Sequence, residues 1–145
     1  MMDIKVQETE SKKRYLKRYR KNRALIFRLR MKIKNLDDRI KSLRSPKFSD
    51  MPRGGTPITK EDLSDEKLDI ERRIQRLEVK GEKIKSEIVD IIDELEDPRY
   101  AEILESFLIE CKNFDEIAED LGYSSRHIER LYSDAINSIV GIMSV

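Results

Sequence analysis

A heptad repeat in the first third of the chain constrains the fold more than any other feature. Apolar residues recur at alternating intervals of four and three, with Ile at the first apolar position and Leu at the second, as is typical of a coiled-coil seam. No Pro or Gly interrupts residues 11–44, so the pattern predicts one helix about 50 Å long. The repeat positions are Tyr15, Tyr19, Asn22, Ile26, Leu29, Ile33, Leu36, Ile40 and Leu43.

A segment rich in Pro and Gly separates this stripe from a second one. Residues 45–58 contain three prolines and two glycines, so they are predicted to form a loop. Thr59 and Asp62 follow with the spacing of a capping box, which predicts the start of a helix. The second stripe is interrupted at Lys67 and Gly81, and its apolar positions are Leu63, Ile70, Ile74, Leu77, Ile84, Ile88, Ile91 and Leu95.

The similar lengths of the two stripes predict an antiparallel, coiled-coil-like helical hairpin over residues 1–96. Its register pairs Leu43 with Leu63, Leu36 with Ile70, Leu29 with Leu77, and Ile26 with Gly81. Two helices bury only one seam, so we expect a homodimer that covers more apolar surface through the hairpin. Asn22 in the seam either specifies this register or lies solvated at a frayed helix end.

Charge is divided unevenly along the chain, although the formal net charge is only +1. Residues 1–50 hold 17 basic and 6 acidic residues, whereas residues 51–145 hold 13 basic and 23 acidic ones. The basic helix is an arm for nucleic acid or a partner for the acidic second helix, and these two interpretations are compatible. Possible phosphate contacts in the first interpretation are Lys17, Arg18, Lys21 and Arg28.

The composition disfavours a large globular enzyme. Charged residues make up 41% of the chain, against about 25% in ordinary globular proteins, and Trp is absent. One Cys excludes an intrachain disulfide, and one His disfavours a metal site. Neither a phosphate-binding glycine loop nor a nucleophile–base pair has a recognisable spacing, so we predict no catalytic residue, metal or cofactor. The absence of a long apolar run predicts that the chain has no membrane span. The N-terminus lacks an apolar signal-peptide core, which predicts a cytoplasmic protein.

The last third of the chain predicts a module of three short helices over residues 97–145. Each helix begins at a residue that can cap its first N–H groups, and a glycine follows the second helix. The capping residues are Asp97 with Pro98, Asn113 with Glu116, and Ser124, and the glycine is Gly122.

The second and third of these helices resemble the helix-turn-helix of DNA-binding proteins. In that motif a small residue stands where the helices cross and a glycine follows four positions later, as Ala118 and Gly122 do here. The apolar positions of the motif are matched by Ile117, Leu121, Tyr123, Ile128 and Leu131. The segment looks most like region 4 of bacterial sigma factors and of their phage-encoded relatives.

This resemblance implies that the third helix enters the major groove of DNA. Ile128, Leu131 and Tyr132 would face inward, whereas Arg126 and Arg130 would read guanine or hold phosphate. The predicted DNA-binding residues are Ser124, Ser125, Arg126, His127, Glu129, Arg130 and Ser133.

The predicted module is acidic, with 4 basic and 9 acidic residues in positions 99–145. Phosphate neutralisation dominates DNA affinity, so the module alone is expected to bind weakly. Either the basic helix or a protein partner must therefore hold it on DNA. Sigma region 4 modules are tethered to RNA polymerase, and the resemblance implies the same partner here.

The chain as a whole resembles small phage transcription regulators of the ArpU/RinA type, most strongly over the terminal module and including the loop SDMPRGG. This resemblance implies a sequence-specific binder of double-stranded DNA that activates late phage genes with host RNA polymerase in the bacterial cytoplasm. Two alternatives stay open. One is a DNA-packaging adaptor of the small-terminase sort, which usually carries its helix-turn-helix first. The other is a polymerase-binding protein that does not contact DNA.

Overall fold

The fold is all-α, as the sequence predicts. The computed structural model describes residues 2–44 and 57–143, and within them a π-helical turn, Glu105–Ile109, directly continues the fourth helix. None of the described helices is long and apolar enough to cross a membrane. The helices are α1 (Met2–Leu16), α2 (Arg18–Arg44), α3 (Lys60–Ile92), α4 (Pro98–Leu104), α5 (Phe114–Leu121) and α6 (Ser125–Met143).

One turn residue, Lys17, separates α1 from α2. Its N–H donates to the Lys13 carbonyl at 3.1 Å, and the Lys21 N–H donates to the Lys17 carbonyl at the same distance. Backbone hydrogen bonding therefore continues across Lys17, but the single helix predicted over residues 11–44 is divided there into α1 and α2. The loop predicted at residues 45–58 falls almost entirely outside the described residues.

The helix α3 begins where the capping pattern predicts. The Thr59 hydroxyl accepts a hydrogen bond from the Asp62 N–H, and the Asp62 carboxylate accepts one from the Thr59 N–H, both at 3.1 Å. These reciprocal bonds satisfy two N–H groups that have no partner inside the helix. The predicted capping box is thus confirmed, and α2 and α3 form the predicted long antiparallel pair.

Contacts divide the chain into two compact units, and the middle of the hairpin forms the smaller one, Ala24–Val79. Leu77 packs against the buried cluster that contains Leu29, and Ile70 packs against the one that contains Leu36, so each of these predicted pairs lies within one cluster. The predicted pairing of Leu43 with Leu63 is wrong. Leu63 packs against Leu36 and Ile40 instead, one turn earlier on α2, and Leu43 is left 50% exposed.

The larger unit consists of Met1–Arg23 and Lys80–Val145. The end of α1, the start of α2 and the end of α3 contribute to its main core, where they pack against α6 and the π-helical turn. The buried members of this core are Leu16, Tyr19, Ile84, Ile88, Ile92, Leu104, Leu108, Ala135, Ile136 and Ile139.

Within the larger unit, Gly81 on α3 faces Asn22 on α2. A Cβ added to Gly81 would lie 3.1 Å from the Asn22 Cγ and would overlap its side-chain oxygen. The missing side chain of Gly81 therefore leaves room for Asn22. The prediction that Ile26 occupies this space is wrong, because Asn22 lies one turn earlier on α2. Asn22 is only 7% exposed, so it lies in the seam and is not solvated at a frayed helix end.

Candidate nucleic-acid interface

The predicted helix-turn-helix corresponds to α5, a short turn and α6. Asn113 begins α5, since its side chain accepts from the Glu116 N–H at 2.8 Å and the Glu116 carboxylate accepts from the Asn113 N–H at 3.4 Å. Gly122 ends α5 in the left-handed conformation, with φ 74° and ψ 27°. Ser124 then caps α6, where its hydroxyl accepts from the His127 N–H at 3.1 Å. All three local predictions are confirmed.

The two helices pack through small and branched side chains. Ala118 and Ile117 of α5 are buried against Ile128 and Leu131 of α6, together with Ile103 of α4. The small side chain of Ala118 permits a close approach of α5 and α6, which is the role predicted for this position. Four residues that match the motif, Ile117, Ala118, Ile128 and Leu131, therefore belong to the core below α6.

Two of the five apolar matches to the motif are not part of this core. Leu121 is 36% exposed and Tyr123 is 44% exposed. The Tyr123 ring lies edge-on to the His127 ring, with 4.9 Å between the ring centroids, so it stays at the surface beside the start of α6. Leu121 and Tyr123 thus match the motif in residue type without contributing to the buried core.

The outward face of α6 carries most of the predicted DNA-binding residues. Ile128 and Leu131 are buried and Tyr132 is largely covered, as predicted. Ser125 differs from the prediction, because it is half-buried and its hydroxyl donates to the Asp115 carboxylate of α5. The predicted DNA-binding residues that are exposed are Ser124, Arg126, His127, Glu129, Arg130 and Ser133.

Arg126 and Arg130 lie together on this face. Both line one shallow depression with Glu129, Ser133 and Asp134, and neither forms an ion pair with a described residue. Their guanidinium groups are thus available to an external anion or base edge. Since Arg presents a planar fork of N–H donors, the pair is suited to guanine or to phosphate.

The other two cations in positions 99–145 are neutralised within the chain. The Lys112 ammonium lies 2.8 Å from Asp120 and 3.1 Å from Glu110, and these carboxylates raise the pKa of Lys112 to about 12. Arg99 pairs with Asp97 at 3.2 Å, and this hydrogen bond raises the pKa of Arg99. The positive charge that remains accessible in this segment is therefore concentrated on α6.

Among the predicted phosphate contacts, Arg18 is engaged inside the chain. Its guanidinium lies 2.8 Å from Glu87 of α3 and 3.8 Å above the Tyr15 ring. The Tyr15 hydroxyl donates to the same carboxylate at 3.2 Å. Hydrogen bonds from Arg18 and Tyr15 lower the pKa of Glu87, so this carboxylate stays charged. Arg18 therefore pairs with the acidic second helix, which is the second interpretation of the basic helix.

The remaining predicted phosphate contacts are accessible. Lys17, Lys21 and Arg28 are exposed, and none of them forms an ion pair with a described residue. Elsewhere in the hairpin, Arg30 pairs with Glu78, and Lys67 lies 2.7 Å from Asp37. Some basic residues thus pair with acidic residues inside the chain, as the second interpretation requires. For Lys17, Lys21 and Arg28, which stay accessible, contact with phosphate remains a prediction.

Sequence reasoning missed one arginine of the basic helix. Arg20 of α2 donates from Nη1 to the carbonyl of Phe107 at 2.7 Å and to the carbonyl of Lys112 at 3.1 Å. It stands among 12 basic residues between Lys12 and Lys34, and no local pattern distinguishes it from its neighbours.

The interface assembled from these residues is an exposed helical face with two arginines that form no ion pair with a described residue, bordered by a capped N-terminus. Backbone N–H groups at such an N-terminus favour anions, and the arginines can hydrogen-bond to base edges. The chain matches no protein-family model, and comparisons with curated proteins and with solved structures likewise give no match.

Proposed function

We propose that this protein is a transcription regulator that binds specific double-stranded DNA through α6. The observation that carries the proposal is the left-handed turn at Gly122 between two helices that pack together in a cluster containing Ala118. This arrangement buries one face of α6 and leaves Arg126 and Arg130 on the other. A helix held in this way can enter the major groove with its first turns against the base edges.

Specificity is assigned to the two arginines of α6. A bidentate arginine–guanine contact discriminates against the wrong base by about 1–3 kcal/mol. Ser124 and His127 lie at the start of the same helix, where they suit contacts with phosphate. Ser125 is not assigned a DNA contact, because its hydroxyl donates to Asp115. This hydrogen bond joins α6 to α5 and leaves the hydroxyl less accessible to DNA.

The acidic character of the terminal segment requires a second source of DNA affinity. Four basic residues stand against nine acidic ones in positions 99–145, and two of the four are already paired. Lys17, Lys21 and Arg28 supply accessible positive charge in the basic helix. Host RNA polymerase is the other proposed anchor, as in the phage regulators of the ArpU/RinA type that the sequence resembles.

The test is selection of bound duplexes from a random DNA library, followed by affinity measurements on the enriched sequence. Arg126→Ala with Arg130→Ala should weaken specific binding by at least about tenfold, because two base contacts are lost. Arg73→Ala with Arg76→Ala is the matched control, since it removes two exposed arginines of α3 that form no ion pair with a described residue. Circular dichroism should show equal helicity for both variants.

Full specific binding by the α6 double variant would overturn the proposal. The net acidity of the segment favours one other candidate, a polymerase-binding protein that does not contact DNA. That candidate predicts a different outcome: no enriched duplex with the protein alone, and binding to purified RNA polymerase that Arg126→Ala with Arg130→Ala leaves unchanged.

A further inference from the structure

Arg20 binds the short segment between the π-helical turn and α5, which directly precedes the helix-turn-helix. Its two acceptors, the carbonyls of Phe107 and Lys112, stand on either side of Cys111. Cys111 has φ 60°, a left-handed conformation that is uncommon for a residue with a side chain. The last carbonyls of a helix have no partner inside it, so an external donor is needed where the π-helical turn ends. The guanidinium of Arg20 is that donor for Phe107.

The same guanidinium lies on an aromatic cluster that supports α5 and α6. Its Cζ is 3.9 Å from the centroid of the Phe107 ring. The Phe107 ring stacks on Phe114, the first residue of α5, at 4.9 Å, and it lies 4.7 Å from Tyr132 of α6. Phe114 and Tyr132 are themselves 5.1 Å apart. One side chain of α2 therefore contacts a cluster that includes a residue from each helix of the motif.

Electrostatics agrees with this placement. Burial raises the pKa of Tyr132 to about 12, and the positive charge of Arg20 opposes that rise. Burial likewise raises the pKa of the Cys111 thiol, against the charges of Arg20 and Arg23. Arg20 is half-buried and is committed to two backbone carbonyls, so its geometry differs from that of the exposed Lys17 and Lys21.

We propose that Arg20 is a positioning residue for DNA recognition, which fixes α5 and α6 against α2 without touching DNA. The proposal rests on the function proposed above. A lysine is a poor replacement for this residue, because its ammonium lacks the planar face that lies over the Phe107 ring. The loss of this contact should loosen the placement of α6 while leaving the charge available to phosphate unchanged.

The experiment compares Arg20→Lys and Arg20→Gln with Lys80→Gln, a matched control in which an exposed lysine of α3 is neutralised. Specific DNA affinity is measured over a range of salt concentrations with the enriched duplex. Arg20→Gln should bind about tenfold more weakly or worse, because the charge-assisted hydrogen bonds and the contact with the Phe107 ring are lost together. Arg20→Lys should also bind more weakly, because the planar guanidinium over that ring is lost. The slope of log affinity against log salt should stay at the wild-type value for both variants.

A role as a phosphate contact gives the opposite pattern. In that case Arg20→Lys would retain wild-type affinity, and Arg20→Gln alone would lower the salt slope by about 0.9. That result would overturn the proposal.

A second readout does not involve DNA. The aromatic NMR signals of Phe107, Phe114 and Tyr132 should shift in both Arg20 variants and stay in place in Lys80→Gln. In the wild-type protein, the side-chain protons of Arg20 should show nuclear Overhauser effects to the Phe107 ring, a measurement that needs no variant to fold. Unchanged ring signals, or the absence of these effects, would overturn the positioning role. If the wild-type protein prefers no DNA sequence, the proposed function is refuted. The ring signals do not depend on DNA, so they show separately whether the positioning role of Arg20 also fails.

Discussion

Among single residues, Gly81 has a direct effect on local packing, because its missing side chain leaves the space that the Asn22 side chain occupies. Gly81→Ala should destabilise the protein by about 1–2 kcal/mol. Overpacking against the buried Asn22 costs about 1–3 kcal/mol, and the better helix propensity of Ala returns at most about 1 kcal/mol. In urea unfolding, this change should lower the urea concentration at the midpoint and leave the slope of unfolding free energy against urea concentration unchanged.

Two further variants isolate the contact between Gly81 and Asn22. Gly141→Ala is the matched control, because Gly141 is also helical and a Cβ there meets nothing within 4 Å, so this change should stabilise by about 1 kcal/mol. In an Asn22→Ala background, Gly81→Ala should lose most of its cost, since the overlapping atoms are gone. An equal cost of Gly81→Ala in both backgrounds would contradict the packing described for this pair.

At the scale of the elements, local signals predicted the helices and the heptad stripes predicted the pairing of α2 with α3, whereas distant contacts outside that seam were not predictable. The starts of α3 and α5 and the end of α5 follow from Thr59, Asn113 and Gly122, because capping depends on residues three or four positions apart. The contact between Arg20 and Phe107 joins residues 87 positions apart, and no spacing rule encodes it. The same limit explains the error at Leu43, since periodicity fixes which face of a helix is apolar and leaves the register open by one turn.

The basic helix supplies the prediction that belongs to this scale. Neutralising Lys17, Lys21 and Arg28 with Gln should lower the salt slope of DNA binding by about 0.9 for each phosphate contact that is lost. Arg18→Gln should leave the slope unchanged, because this arginine is paired with Glu87, and it should raise the pKa of that carboxyl. Affinity titrations at several salt concentrations measure the slope.

The control for this helix is Arg73→Gln, Arg76→Gln and Lys80→Gln on α3, which removes three exposed cations from the neighbouring helix. The slope should not change in that variant. If the slope is also unchanged when the three residues of the basic helix are neutralised, phosphate is not their partner, and RNA polymerase becomes the anchor that holds α6 on DNA.

At the scale of the whole molecule, the hairpin leaves an apolar stripe uncovered on α2. Phe27 is 68% exposed and Met31, one turn later, is 42% exposed. A pair of helices buries only one seam, so a second copy that covers this stripe would stabilise both chains. We therefore expect sedimentation equilibrium to give twice the monomer mass. Phe27→Glu with Met31→Glu should give the monomer, whereas Val6→Glu, at another exposed apolar position on α1, should leave the dimer intact.

The oligomeric state also decides between two functions, because symmetry carries over to the DNA that is bound. A two-fold dimer presents two copies of α6, so the enriched duplex should contain an inverted repeat with a fixed spacing of half-sites. Under Phe27→Glu with Met31→Glu, the preference for that spacing should be lost while a single half-site is still recognised through Arg126 and Arg130. If the wild-type protein is a monomer, the predicted dimer is wrong, and the protein would recognise a single half-site. A ring of eight or more copies would favour the packaging adaptor, since such a ring surrounds or lines DNA and has no use for one inverted repeat.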